Sequence, residues 1–266
     1  MDHFVDERDF RLLEGDPYTF FVLSRVMGGP CACLRSDHER IILCHTAFPY
    51  PVWLWTPDDI TPGEMERAWQ LAAETCPLEQ GYRYNLKYRL AEYFLKRAQE
   101  AGINGRIETN MFAYDCPASI RPDGVPGGVL YRCTPEDAQE AAQMIWEFHE
   151  AIHADRTSLE RCMATALEHI NGGGFFLWKT PAGETVACCA LRPDRHLGCV
   201  SCVYTRPAHR RQHHAQHMVW QLTRLIEEQG LTPMLYTDAD YAASNACYEK
   251  IGYVLRGKLC TIGAEG

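Results

Sequence analysis

No stretch of this 266-residue chain approaches the about 20 uninterrupted apolar residues that a membrane-spanning helix needs. The opening residues, M-D-H-F-V-D-E-R-D-F, lack the basic start and apolar run of a secretory signal. Excess positive charge is also missing: 26 Lys and Arg stand against 35 Asp and Glu, for a net charge of -9. That balance speaks against a general electrostatic grip on nucleic acid. It agrees weakly with a cationic amine as substrate, and more simply with plain solubility. There are 13 cysteines, but no second C-x-x-C joins the one at Cys199 and Cys202 to complete a zinc-ribbon spacing. Most of the thiols lie inside apolar runs, as small buried hydrophobes do. The expectation is a cytoplasmic protein with reduced thiols that binds neither nucleic acid nor membrane.

What is present is an ordered series of amphipathic elements. Asp16 precedes an apolar run that predicts a helix ending at Gly28-Gly29-Pro30. Short strands are expected at 31–34, 40–45 and 52–55. Thr61-Pro62-Gly63-Glu64 is a capping box with proline at the first helical position. Met65, Ala68, Trp69, Ala72, Ala73 and Cys76 then share one helical face. A second helix is expected over 84–101, and a strand over 107–114. Residues 116–128 read C-P-A-S-I-R-P-D-G-V-P-G-G, too rich in proline and glycine for helix or strand. This segment is the expected linker between a domain at 1–120 and another at 127–266. The second domain reads strand 129–132, helices from Thr134 and Ser158, and strands 175–179, 186–191 and 197–204. The last of these is nearly all apolar, which predicts burial on both faces.

The chemistry concentrates in 203–252. Here a strand, V-Y-T, runs through R-P-A-H-R-R-Q-H-H-A into an amphipathic helix bearing Met218, Val219, Leu222 and Ile226. A strand that feeds a basic turn into a helix start makes an anion site. Free backbone N–H groups and the helix dipole both favour a bound phosphate. A second strand follows, then a short helix with Asn245 and Tyr248 three apart on one face.

These two runs resemble the GCN5-related N-acetyltransferase (GNAT) family. The element order of 127–266 resembles the family's α/β fold, a mixed, mostly antiparallel sheet flanked by helices. The N-terminal half resembles a degenerate GNAT-like domain in element order alone, which implies two tandem domains. The resemblance implies acetyl-CoA as cosubstrate, a primary amine as acceptor and direct acyl transfer. The family's phosphate-loop pattern, R/Q-x-x-G-x-G/A, falls on Arg210, Arg211, Gln212, His213, His214 and Ala215. The central glycine is His213 here, so this loop departs from the pattern where backbone must approach phosphate. By the same resemblance, Val203, Tyr204 and Thr205 would pair through their backbone with the pantetheine arm. Asn245 would hold the cosubstrate and Tyr248 would protonate the departing thiolate.

No acidic residue occurs in 197–205, where many relatives carry a base, so Asp238, Asp240, Glu150 and His149 stay open as candidates. His149, on an apolar helix face, reads more naturally as a hydrogen-bonded core residue. His213 and His217 have the i, i+4 spacing of metal ligands, but H-H-A-Q-H lacks the glutamate of H-E-x-x-H and no third ligand is evident. No metal is expected, and Cys247 reads as a packing residue. A non-catalytic acyl-CoA-binding module is the alternative, with a GNAT-shaped scaffold that binds no CoA as another. The acceptor stays unspecified, and monomer and dimer are both open.

Overall fold

The structure is a computed structural model and describes residues 1–124, 126–152 and 158–265. The chain forms two compact units, and they interleave along the sequence. One comprises Met1–Ala113, Thr237–Tyr241 and Leu255–Gly266; the other comprises Tyr114–Tyr236 and Ala242–Val254.

The first unit begins with helices α1 (Glu7–Glu14) and α2 (Phe21–Val26), then strands β1 (Cys33–Ser36), β2 (Ile42–His45) and β3 (Val52–Trp55). Helix α3 (Pro62–Thr75), strand β4 (Tyr84–Leu86), helix α4 (Tyr88–Glu100) and strand β5 (Gly105–Asp115) follow. The strand order is β1-β2-β3-β4, and β4 then pairs antiparallel with β11 (Val254–Ala264), the last strand of the chain. β3 and β4 are parallel, so α3 is their crossover. One face of this sheet packs Leu43, Val52, Leu54 and Ile262 against Ala68, Leu71 and Ala72 of α3 and Leu90, Ala91 and Phe94 of α4.

Three local expectations change. Asp16 does not cap α2; its carboxylate pairs with Lys87 at 2.5 Å, and Phe20 opens α2 without a side-chain cap. α1 forms instead on a capping box of Asp6 and Asp9, two carboxylates spaced like the more usual Ser and Glu. The expected 84–101 helix starts four residues late, because the fully buried Tyr84 and Leu86 extend as a strand between β3 and β11. Their period of two is hidden in sequence by the apolar periodicity that follows.

The second unit contains β6 (Val129–Arg132), α5 (Ala138–Ala151), α6 (Leu159–Asn171), β7 (Phe175–Lys179), β8 (Thr185–Asp194), β9 (Leu197–Thr205), α7 (His214–Glu228), β10 (Thr232–Asp238) and α8 (Ala242–Lys250). Its strand order is β10-β9-β8-β7-β6, antiparallel except for the parallel pair β9 and β10 that α7 connects. Thr134 caps a single 3-10 turn before α5, while Ser158 caps α6 through its hydroxyl. β9 is buried over Leu197, Gly198, Cys199 and Val200 but not throughout, since Ser201 is exposed and Cys202 and Val203 are half-buried.

The described residues of 116–128 form no helix or strand, as their composition predicts, yet they are docked rather than slack. The Cys116 N–H donates to Pro233 and the Ile120 N–H to Ile251, each at 2.9 Å. Ser119 Oγ donates to Glu227 at 3.0 Å, and the Arg121 guanidinium lies 5.8 Å from the Trp220 ring centroid. The backbone of Asp123 hydrogen-bonds the His217 ring. A Cβ on Gly127 would stand 2.9 Å from the His214 ring, and one on Gly128 would stand 2.6 Å from Trp178 Nε1. The segment thus runs as a strap along α7, and the two glycines let its backbone reach the His214–Trp178 pair.

In the first unit His38 is buried between two carboxylates, with Nδ1 at 2.7 Å from Asp9 and Nε2 at 3.0 Å from Asp2. Both partners only accept, so both ring nitrogens serve best as donors, which is the charged imidazole. Burial opposes that charge, but the hydrogen bond and charge of Asp9, joined by Asp2, prevail and raise the His38 pKa. A raised folded pKa stabilises fully below the unfolded value of about 6.5 and stops doing so as pH rises through the folded value. The urea midpoint of the first unit is therefore expected to fall between pH 6 and pH 8.5. His38→Gln should flatten that slope; an unchanged slope would place the titration elsewhere.

Candidate active site

The site is built on a corner of the second unit where backbone pairing fails. β9 pairs with β10 from Leu197 opposite Thr232 to Val200 opposite Leu235, and the register ends there. On its other side β9 pairs with β8, with Ala190 opposite Ser201 and Cys188 opposite Tyr204. Cys202 and Val203 therefore face the single residue Cys189, which is a β-bulge. Cys202 takes the extra turn with φ at +50°. The bulge bends β9 away from β10 and leaves the β10 side of Ser201 to Thr205 outside that ladder. Thr205 Oγ1 is buried with no partner among the described residues. The sequence gives no sign of the bulge, because cysteine rather than glycine holds the left-handed position.

After β9, Pro207–His209 make one 3-10 turn and α7 begins. Arg206 does not reach outward; it is bound to Glu147 at 3.1 Å and to the Thr185 carbonyl at 2.8 Å. Arg210 donates to the Thr205 carbonyl at 3.1 Å and lies 5.9 Å from the Tyr204 ring centroid. Gln212 donates back to the Ala208 carbonyl at 3.3 Å. Arg211 is exposed and meets no carboxylate among the described residues. Arg211 and His213 are both left-handed, with φ at +64° and +61°. His213 is the N-cap of α7 and supplies no side-chain cap hydrogen bond. The first N–H groups of α7 thus stay available beside Arg211.

The histidines divide by depth. His213 is exposed, its Nδ1 lying 3.2 Å from Gln216 Oε1. His214 is buried, and its Nδ1 accepts from the Trp178 indole at 3.1 Å, so only its backbone can face an anion. His217 is buried, and its Nδ1 has no partner among the described residues. Burial first, then neighbouring His209 and His217, lowers the pKa of His214. Burial, then His213, lowers that of His217. The i, i+4 pair His213 and His217 is therefore split between solvent and core.

α8 packs against α7 and carries Asn245 and Tyr248, both buried. The Tyr248 ring lies 6.0 Å from that of Tyr253. Burial pushes the Cys247 thiol up to about 11, which leaves it protonated and unreactive at neutral pH. Among the base candidates, Glu150 is exposed at the end of α5. His149 is half-buried, its pKa lowered by burial, and its Nδ1 meets no partner among the described residues, so the expected core hydrogen bond at that atom is absent. Asp238 and Asp240 lie in the 237–241 stretch of the first unit, where Asp238 accepts from the Asp240 N–H at 2.9 Å and Asn110 donates to Asp240 at 2.8 Å.

The sequence model of the Acetyltransferase (GNAT) family matches residues 138–253, which runs from α5 to the end of the α8 turn. Residues 138–253 thus resemble a domain of this acyltransferase family, a match to less than half of the chain. A GNAT acetyltransferase from Colwellia psychrerythraea aligns over 98% of this chain and 98% of its own, with a TM-score of 0.58 at 11% identity. A GCN5-related N-acetyltransferase from Kribbella flavida covers 97% of this chain and 95% of its own, with a TM-score of 0.64 at 18% identity. At these identities the likeness is one of fold. No curated protein matches the sequence.

Two outcomes are expected from the α7 start. His213→Gly should raise stability by about 0.5–1 kcal/mol, because glycine holds a positive φ without a Cβ penalty; an unmoved or lower urea midpoint would show that the His213 ring contributes more than its backbone costs. Lowered histidine pKa values act in the opposite direction to His38. The unfolded chain takes up protons below about 6.5 while the folded His214 and His217 resist them, so stability falls with pH until their folded values are reached. The melting temperature of the second unit should drop between pH 7 and pH 5, and less so in His217→Gln.

Proposed function

We propose that the second unit is an acetyl-CoA-dependent N-acetyltransferase that moves the acetyl group directly to a primary amine. The observation that carries this reading is the conjunction at the β9–α7 corner. Backbone released by the bulge lies next to an uncapped helix start with an unpaired arginine. One group asks for an extended, amide-bearing chain and the other for an anion, and the pantetheine arm and pyrophosphate of CoA supply both.

In this reading the N–H groups of Gln212, His213, His214 and Ala215 hold the pyrophosphate, and Arg211 adds charge. The backbone of Val203, Tyr204 and Thr205 pairs with the pantetheine amides. Acetyl-CoA supplies an activated thioester. The N–H near Val203 stabilises negative charge on the carbonyl oxygen as the neutral amine attacks. Tyr248 gives its proton to the thiolate as the C–S bond breaks, a transfer that must be concerted because a phenol is the weaker acid. Asn245 shares the Tyr248 face of α8 and positions the arm. The first unit is read as a degenerate GNAT-like repeat; the expected tandem division at 1–120 and 127–266 is crossed by residues 237–241 and 255–266, which belong to the first unit. Free thiols at all 13 cysteines agree with the cytoplasm. Among the described residues no helix is long and apolar enough to cross a membrane.

Isothermal titration of acetyl-CoA tests the site, followed by thioester consumption with a panel of amines. Micromolar binding is expected, weakened about tenfold by Arg211→Ala through loss of one charge-assisted contact. Tyr248→Phe should bind acetyl-CoA as the wild type does and lower kcat by about a hundredfold. Binding without turnover for any amine would favour the acyl-CoA-binding module, and absence of binding would leave a scaffold.

A further inference from the structure

The first unit holds a pair of thiols that the acyl-transfer reading does not use. Cys31 lies in the loop between α2 and β1, and Cys44 lies on β2. Their Sγ atoms are 3.3 Å apart. The Cys31 sulfur also faces the Val26 and Gly29 carbonyls, each at 3.4 Å, so it is held at the mouth of the α2 turn. Cys31 is half-buried beside the exposed residues Gly28, Gly29 and Pro30, whereas Cys44 is wholly buried. One sulfur is thus reachable by a small oxidant, and the other waits behind it. Moving from contact to a bond of about 2.05 Å asks little of two side chains already facing each other.

We propose that Cys31 and Cys44 are a reversible thiol–disulfide modification site, oxidised by a low-molecular-weight disulfide such as oxidised glutathione. Cys31 attacks one sulfur of the oxidant, releasing one glutathione thiol and forming a mixed disulfide. Cys44 then attacks the Cys31 sulfur and releases the second glutathione. Two protein thiols lose two electrons and two protons, and one glutathione disulfide becomes two thiols. Burial raises the Cys44 thiol well above its usual range, so Cys44 is a slow nucleophile and its attack relies on the mixed disulfide being held against it. The product clips the loop after α2 to β2, one strand in from the sheet edge, across a 13-residue interval.

A neighbouring pair competes for the same oxidant. Cys33 is lowered to about 6, first by its hydrogen bond with Cys76 and then by Arg35, so it is the readier thiolate. The test must therefore separate Cys31–Cys44 from Cys33–Cys76. The full chain is equilibrated in graded mixtures of oxidised and reduced glutathione, alkylated and digested with trypsin. Residues 26–35 carry Cys31 and Cys33, 41–67 carry Cys44, and 68–83 carry Cys76. The expected product joins 26–35 to 41–67 and disappears on reduction. It should be absent from Cys31→Ser and retained in Cys33→Ser, and the oxidised wild type should melt about 5 °C higher. Fragmentation of the wild-type linked peptide assigns the bond to Cys31 even if a variant does not fold. A link from 26–35 to 68–83 instead, glutathione remaining on Cys31, or a bond assigned to Cys33–Cys44 would each overturn the proposal.

Discussion

Unpaired backbone at the β9–α7 corner is the constraint on which the candidate site depends. A strand in the middle of a sheet ordinarily spends every N–H and C=O on its neighbours. β9 does so as far as Val200, and then the bulge at Cys202 and Val203 takes it out of register with β10. α7 compounds the opening, because its N-cap is a left-handed histidine with no side-chain hydrogen bond to the first turn. Ser119 and the indole of Trp178 tie α7 down beside this opening. Arg206, the first cation of the turn, is turned back onto Glu147, and the outward charge comes from Arg211.

The first unit shows what the same sequence of elements looks like when the corner is closed. β3, α3 and β4 repeat the parallel strand–helix–strand of β9, α7 and β10. At the α3 start, however, Thr61 and Glu64 cap each other, and Asp58 and Asp59 precede them. The first-turn N–H of Glu64 already has its acceptor, and the carboxylates of Asp59 and Asp58 are paired with Arg40 and Lys87. An anion there would have to displace the Thr61 hydroxyl from the Glu64 N–H. The two helix starts thus differ in the property that decides whether phosphate can bind, which is why only the second unit is read as the acyl-CoA site.

Much of this was legible in the sequence where one interaction acts locally. The Thr61 capping box, the Ser158 cap, strands 52–55 and 175–179 and the amphipathic face of α7 all appear as expected. Local signals failed where a distant partner decides. Tyr84 is extended because β3 and β11 flank it, and β11 lies about 170 residues further on. Asp16 is claimed by Lys87 before it can cap α2. The Pro- and Gly-rich 116–128 has the composition of a slack connector, but contacts to Pro233, Glu227, Trp220 and His214 dock it. At the site, the basic turn and its helix could be read directly. The bulge could not, since Cys202 adopts a left-handed φ that its residue type does not advertise.

The buried histidines of α7 make physical sense beside the proposed anion site. A charged imidazole in the first turn of a helix would face the positive end of the dipole and the nearby arginines. His214 avoids this by accepting from Trp178, a bond that requires the neutral ring at Nδ1. His217 is held neutral by burial, with Asp123 on one side. The positive potential at the α7 start is therefore left to backbone dipoles and to arginine, neither of which titrates near pH 7. His213 is the exception, exposed at the position where glycine would leave the backbone bare. Its ring stands at the exposed start of α7, where an incoming anion would meet it before the backbone.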